Sequence, residues 1–170
     1  MSGPSINQRF ADLNTITDST GGTAGTSVAS TVGVSQLSFP VTLANIADGD
    51  VVTTYTPGYK FKILALDFIT GTPVTTAAKA STLNAEIGTT NVTGGTVALT
   101  SAACTPLGAE VAGAAITAAN TGSASDTISI EASSTTAFVE GDGVIIVTIQ
   151  NMDVADAIAS IVGELNKNVD

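Results

Sequence analysis

The chain has no histidine, so acid–base, nucleophilic or metal chemistry falls chiefly to fifteen Asp and Glu residues and one cysteine. Two pairs of carboxylates flank glycines, Asp48-Gly49-Asp50 and Glu140-Gly141-Asp142. Either could offer a calcium ion the hard oxygen ligands it takes from turns. The plainer reading, two solvated β-turns, is preferred, and no metal is expected. Asp67 and Glu131 lie in strand-like runs. A glycosidase needs two carboxyls across a cleft, but these two are expected to face solvent or a subunit contact. Without histidine the commonest general base, the usual triads and most zinc sites are missing. Cys104 therefore reads as a buried, inert thiol and, being alone, cannot form an intrachain disulfide. There is no tryptophan and there are two tyrosines, a poor supply for a sugar-binding platform. Thr93-Gly94-Gly95-Thr96 lacks the Gly-Lys-Ser/Thr that completes a phosphate loop. Asn91-Val92-Thr93 matches a glycosylation sequon and carries little weight without a secretory signal. The expectation is a non-enzymatic protein with no cofactor and no small-molecule substrate.

Charge narrows the partners. Net charge is -10, and the five basic residues, Arg9, Lys60, Lys62, Lys79 and Lys167, are scattered. A phosphate backbone or an anionic membrane attracts a basic cluster, so neither nucleic acid nor membrane is an expected partner. The first seven residues carry no apolar run of the kind a signal peptide has, and the longest apolar stretches, such as Gly143–Ile149, are too short to span a bilayer.

The elements that would position these side chains are mostly strands. Hydrophobic residues make up 44% of the chain and charged residues 12%, with Thr, Ser, Ala and Gly in place of the missing charge. That mixture favours close-packed strands over long solvated helices. Leu37, Phe39, Val41 and Leu43 alternate with polar residues, and Pro40 places that strand at a sheet edge. Val51–Tyr55 follows. Tyr59–Thr70 is the longest run, apolar on both faces near its middle, which predicts a central strand covered on both sides. Ser81–Gly88, Thr96–Thr100, Thr127–Ser133 and Gly143–Gln150 continue the pattern, and Leu107–Ala119, though rich in alanine, reads as irregular strand. About eight strands with Gly, Pro, Asn and Asp between them predict an all-β fold, an antiparallel β-sandwich of jelly-roll type.

Three parts follow: an extended N-terminal arm over 1–36, a β-sandwich domain over 37–150, and a C-terminal amphipathic helix and tail over 151–170. The arm is rich in Gly, Ser and Thr and cannot bury enough apolar surface to fold alone. Within it Ile6, Phe10 and Leu13 recur at helical spacing and could dock. The helix is expected from Asp153, as N-cap, to Lys167, with Val154, Ile158, Ile161, Val162 and Leu165 on one stripe. Too short to stand alone in water, it is expected to pack either on its own sandwich or in a bundle with two further copies around a threefold axis.

From Phe39 to Ile149, about two-thirds of the chain, the segments resemble a recurring domain of tailed-phage head-decoration (cement) and head-fibre proteins. The resemblance rests on Phe39-Pro40-Val41-Thr42-Leu43 running to Asp48-Gly49-Asp50, then Tyr55-Thr56-Pro57-Gly58-Tyr59. It continues through Thr75-Thr76-Ala77-Ala78-Lys79-Ala80, Leu83-Asn84-Ala85-Glu86-Ile87-Gly88-Thr89-Thr90, Thr105-Pro106-Leu107-Gly108 and Ser133-Ser134-Thr135-Thr136-Ala137-Phe138-Val139-Glu140-Gly141. It is a likeness of texture and segment order. It implies a homotrimer on the outer surface of a virion, assembled in the host cytoplasm, that clamps neighbouring subunits of the major capsid protein. Ile6, Arg9, Phe10 and Leu13 would then contact the capsid, and Val154, Ile158, Ile161 and Leu165 neighbouring subunits. A head-fibre, tail-associated or host-adhesion β domain is the alternative, and a polysaccharide depolymerase fragment a remote third.

Overall fold

Alternation between buried and exposed positions decides most of the strands, as it must where one sheet face is covered and the other is wet. The computed structural model describes residues 33–167. Ten strands run in chain order: β1 Val34–Thr42, β2 Gly49–Tyr55, β3 Phe61–Thr72, β4 Ala80–Ile87, β5 Thr90–Asn91, β6 Val97–Thr100, β7 Glu110–Ala112, β8 Thr121–Gly122, β9 Ile128–Thr136 and β10 Asp142–Asn151. A 3-10 turn, Leu43–Asn45, follows β1, and a helix, α1, spans Met152–Lys167. Among the described residues the fold is thus mostly antiparallel β-sheet with one short helix. The two strands absent from the sequence reading, β5 and β8, are two residues long each and carry no periodicity to detect.

The strands form two five-stranded sheets. One has the order β1-β10-β3-β7, with β8 also paired to β3; the other has the order β2-β9-β4-β5, with β6 also paired to β4. β1, which holds Pro40, lies at an edge, where a missing N–H costs no ladder bond. One cluster of buried side chains draws on both sheets: Phe61, Ile63, Leu66, Phe68, Ile145, Val147 and Ile149 from the first, Leu83, Val97, Leu99, Ile128 and Ile130 from the second. Each such side chain contributes about 1.5–3 kcal/mol when fully buried.

β3 departs from the expectation of two covered faces. Phe61 and Ile63 are buried, Leu64 and Ala65 are both half-buried, and burial resumes at Leu66, Phe68 and Thr70. The alternation shifts phase by one residue, so the two sets of apolar residues, which in a regular strand would point to opposite faces, fill the same core.

Close backbone approaches explain several glycines. Between β7 and β8 the chain leaves β3 and pairs with the segment before β6: Gly95 N donates to Ala114 O (2.8 Å), Ala114 N to Thr96 O (3.0 Å) and Thr117 N to Thr93 O (2.9 Å). Residues 107–119 are therefore irregular extended chain and not helix. A Cβ on Gly94 would lie 2.0 Å from the Ala115 carbonyl oxygen, and one on Gly113 would lie 2.2 Å from that of Leu66. At the opposite edge of the pair of sheets, Phe39 of β1 meets Tyr55 of β2 edge to face, ring centroids 6.0 Å apart.

Residues 35–149 form one compact unit, and the chain on either side falls in another. β1 already begins at Val34, so the last residues of the expected arm, 34–36, are strand. In the second unit Asn151 N donates to Gly33 O (2.9 Å). α1 begins one residue earlier than expected, and its cap is Asn151 and not Asp153. The Asn151 side-chain oxygen accepts from the backbone N–H groups of Asp153 (3.0 Å) and Val154 (3.2 Å), two of the donors a helix start leaves unpaired.

Candidate interaction surface

Gly141 lets the β9–β10 connection run close to the end of β3. Its φ is +98°, and a Cβ there would press on Val74 (2.8 Å) and Leu43 (3.0 Å). The approach delivers the flanking carboxylates to the β3–β4 connection. Glu140 Oε1 accepts from Thr76 N (2.6 Å), Thr75 N (2.8 Å) and Thr75 Oγ1 (2.9 Å), and Oε2 accepts from Thr76 Oγ1 (3.1 Å). These donors, the Thr76 and Thr75 backbones foremost, hold the Glu140 carboxyl well below the usual range, at about 2. Asp142 accepts from Thr72 N (2.8 Å) and Thr72 Oγ1 (2.7 Å). The pair read from sequence as a solvated turn is a staple across strands, and its threonine donors were not singled out in the sequence.

The other carboxylates divide in the same way. Asp48 Oδ1 accepts from Thr135 N (2.8 Å), and that backbone bond lowers its pKa. Asp50 stands opposite Glu131 across β2 and β9, and Glu131 opposite Asn84 across β9 and β4. Glu86, two residues on along β4, has its pKa raised, by burial first and then by the charge of Glu131. These groups lie on the face of their sheet away from the core. Asp67 sits in the other sheet between buried Leu66 and Phe68, also facing away from the core, and accepts from Gly113 N (3.2 Å). The fold therefore does not bring Asp67 and Glu131 to one cleft. Among the described residues no three Asp, Glu or Cys side chains gather as a metal site.

Cys104 is buried, and that burial pushes its thiol pKa up, away from the reactive thiolate. A shallow hollow of about 560 Å³ lies beside Thr75, Lys79, Thr100 and Ser101, with no carboxylate in its lining. Ser101 Oγ is committed there, accepting from Lys79 N (2.8 Å) and donating to Thr76 O (2.7 Å).

Six large apolar side chains are exposed among the described residues, Val34 and Ile69 on strands, Leu107 and Val139 elsewhere in the sheet unit, and Val154 and Ile161 on α1. On α1, Val154 is 41% exposed and Ile161 56% exposed, with Ile158 half-buried between them, while Ala155 is covered. Leu107 and Val139 are exposed at loops of the sheet unit. Of the expected subunit contacts, Val154, Ile158 and Ile161 thus fall on one stripe of the helix; the side chain of Leu165 lies outside the described residues. Ile6, Arg9, Phe10 and Leu13 also lie outside them.

No family model, no curated protein and no solved structure matches this chain.

Proposed function

We propose that this chain is a virion structural protein, a capsid decoration (cement) protein of a tailed phage, acting as a homotrimer that binds neighbouring subunits of the major capsid protein at the outer surface of the shell. The observation that carries the reading is the strand order. If β5 and β6 count as one interrupted strand and β7 and β8 as another, the sheets run 1-10-3-7/8 and 2-9-4-5/6. Successive strand positions then alternate between the sheets except for the fourth and fifth, β4 and β5/6, which pair within one sheet. This order supports the double Greek key of a jelly-roll sandwich, an architecture used in viral capsid domains.

Fold alone does not fix function, and the side chains supply the second support. Glu140, Asp142 and Asp48 hold backbone, while exposed apolar groups sit on the helix, at loops, and at Val34 of β1 and Ile69 of β3. That inventory favours adhesion over turnover, and no enzymatic role is proposed. Jelly rolls also serve as lectins, the basis for a host-adhesion alternative. Among the described residues, however, every Phe and Tyr is at least half-buried, leaving no stacking platform for sugar. The resemblance over Phe39–Ile149 points to the head of the particle.

The test is to purify particles from a lysate that contains the chain, label them with an antibody to the sheet unit, and weigh the band by mass spectrometry. Stoichiometric label on the outer shell is expected. A chain found only in the soluble fraction, absent from purified particles, overturns the reading.

A further inference from the structure

We propose that α1 is a self-association seam, on which two further copies of the same helix pack in parallel to make a three-stranded coil. The inference deepens the homotrimer in the function proposed above and is independent of the capsid. Val154, Ile158 and Ile161 are spaced four and three residues apart, and Leu165 continues the spacing by four in the sequence. This is the alternation of a and d positions that keeps an apolar seam facing a partner helix, with Val154 and Ile161 at d and Ile158 and Leu165 at a. Within the described part of this stripe Val154 and Ile161 are among the exposed large hydrophobic side chains and Ile158 is half-buried, whereas the covered side of the helix runs through Ala155.

The distribution of charge selects another copy of the chain as occupant. Asp153, Asp156 and Lys167 fall at c, f and c, off the seam, and Glu164, at g, is the single charged residue beside it. Ala157, exposed at g, flanks the first d and a pair, and its small side chain permits close approach. An uncharged seam can meet its own image although each chain carries -10. The outer face of the β2-β9-β4 sheet cannot do so readily, because Asp50, Glu131 and Glu86 would oppose the same carboxylates on a copy. Stoichiometry follows from side-chain shape: β-branched residues at d, with Ile at d beside Leu at a, favour three or four strands over two.

A helix of sixteen residues is marginal alone, so the test uses the whole chain. Sedimentation equilibrium is run on the wild type, on Ile161→Glu, and on Ala159→Glu, which adds the same charge at an exposed position off the seam. Ile161 is already exposed, so its replacement leaves the fold of each copy intact, which circular dichroism checks. A trimeric wild type, a trimeric Ala159→Glu, and an Ile161→Glu whose dissociation constant rises on the order of 100-fold or more are expected. A monomeric or dimeric wild type, or an Ile161→Glu that stays trimeric, overturns the seam. Co-sedimentation of the wild type with the particles named above separates the two readings. A monomer that binds them leaves the capsid role standing without the seam, and a trimer that ignores them does the reverse.

Discussion

Glu140 accepts four hydrogen bonds from a segment more than sixty residues earlier in the chain, and its carboxyl sits near 2 against an ordinary 4.5. Between those values the unfolded chain binds a proton that the folded chain refuses. Stability from this group is therefore complete above pH 4.5 and drains away as pH falls toward 2. Glu140→Gln should lower the melting temperature at pH 7 and flatten its dependence on pH over that window, measured by thermal denaturation from pH 2 to 7. Glu86 has the opposite sign. Burial and the charge of Glu131 raise its pKa, so the folded state holds its proton longer and stability declines as pH rises through the carboxylate range. Glu86→Gln should raise the melting temperature at neutral pH, by less near pH 4, and by less in high salt, which screens the same repulsion. The types and glycine-flanked spacing of these carboxylates are plain in the sequence. Their partners are not, because Thr72, Thr75 and Thr76 reach Asp142 and Glu140 only after the β9–β10 connection has folded back on the end of β3.

β4, which alternates cleanly with Leu83 and Ala85 inward, could be read directly, since side-chain period and burial coincide there. β10 was legible as a strand, but its consecutive apolar residues Val144–Val147 do not show in sequence that Ile145, Val147 and Ile149 are the ones that face in. β3 could not be read directly, because a one-residue change of phase looks in sequence like two apolar faces. The Gly94-Gly95 pair was legible as a break and not as a packing device. Gly94 has a φ of +82° and its Cβ position falls on the Ala115 carbonyl, so an added methyl must displace backbone. Gly94→Ala should cost on the order of 3 kcal/mol, combining left-handed strain with that displacement, and chemical denaturation would measure it. At the start of α1 the capping oxygen belongs to Asn151, one residue ahead of the helix. Asn151→Ala should remove about 1 kcal/mol of helix stability and reduce helical circular dichroism, while Asp153→Ala should not reproduce the loss of the cap.

At the scale of the whole molecule, the first thirty-two residues lie outside the described ones, and it is the sequence that gives them a glycine-rich stretch and, at helical spacing, the proposed anchors Ile6, Phe10 and Leu13. Stretched out, a segment of that length reaches on the order of 100 Å at about 3.3 Å per residue. Ordering it costs roughly 1–2 kcal/mol of backbone entropy per residue, so a single arm must regain that from strand pairing or anchor burial on a neighbour. In the proposed trimer three arms would bind as a unit, the second and third engaging at high effective concentration. A cut before Gly33 spares β1, which begins at Val34, and keeps the Gly33 carbonyl that pairs with Asn151. Deleting residues 1–32 should therefore leave the sheet unit folded, which circular dichroism checks, and the oligomeric state unchanged. Capsid affinity in a co-sedimentation titration should fall by on the order of 10²–10⁴. If the shortened protein decorates particles as tightly as the full chain, adhesion lies in the folded unit itself, and Leu107 and Val139 become the places to look for it.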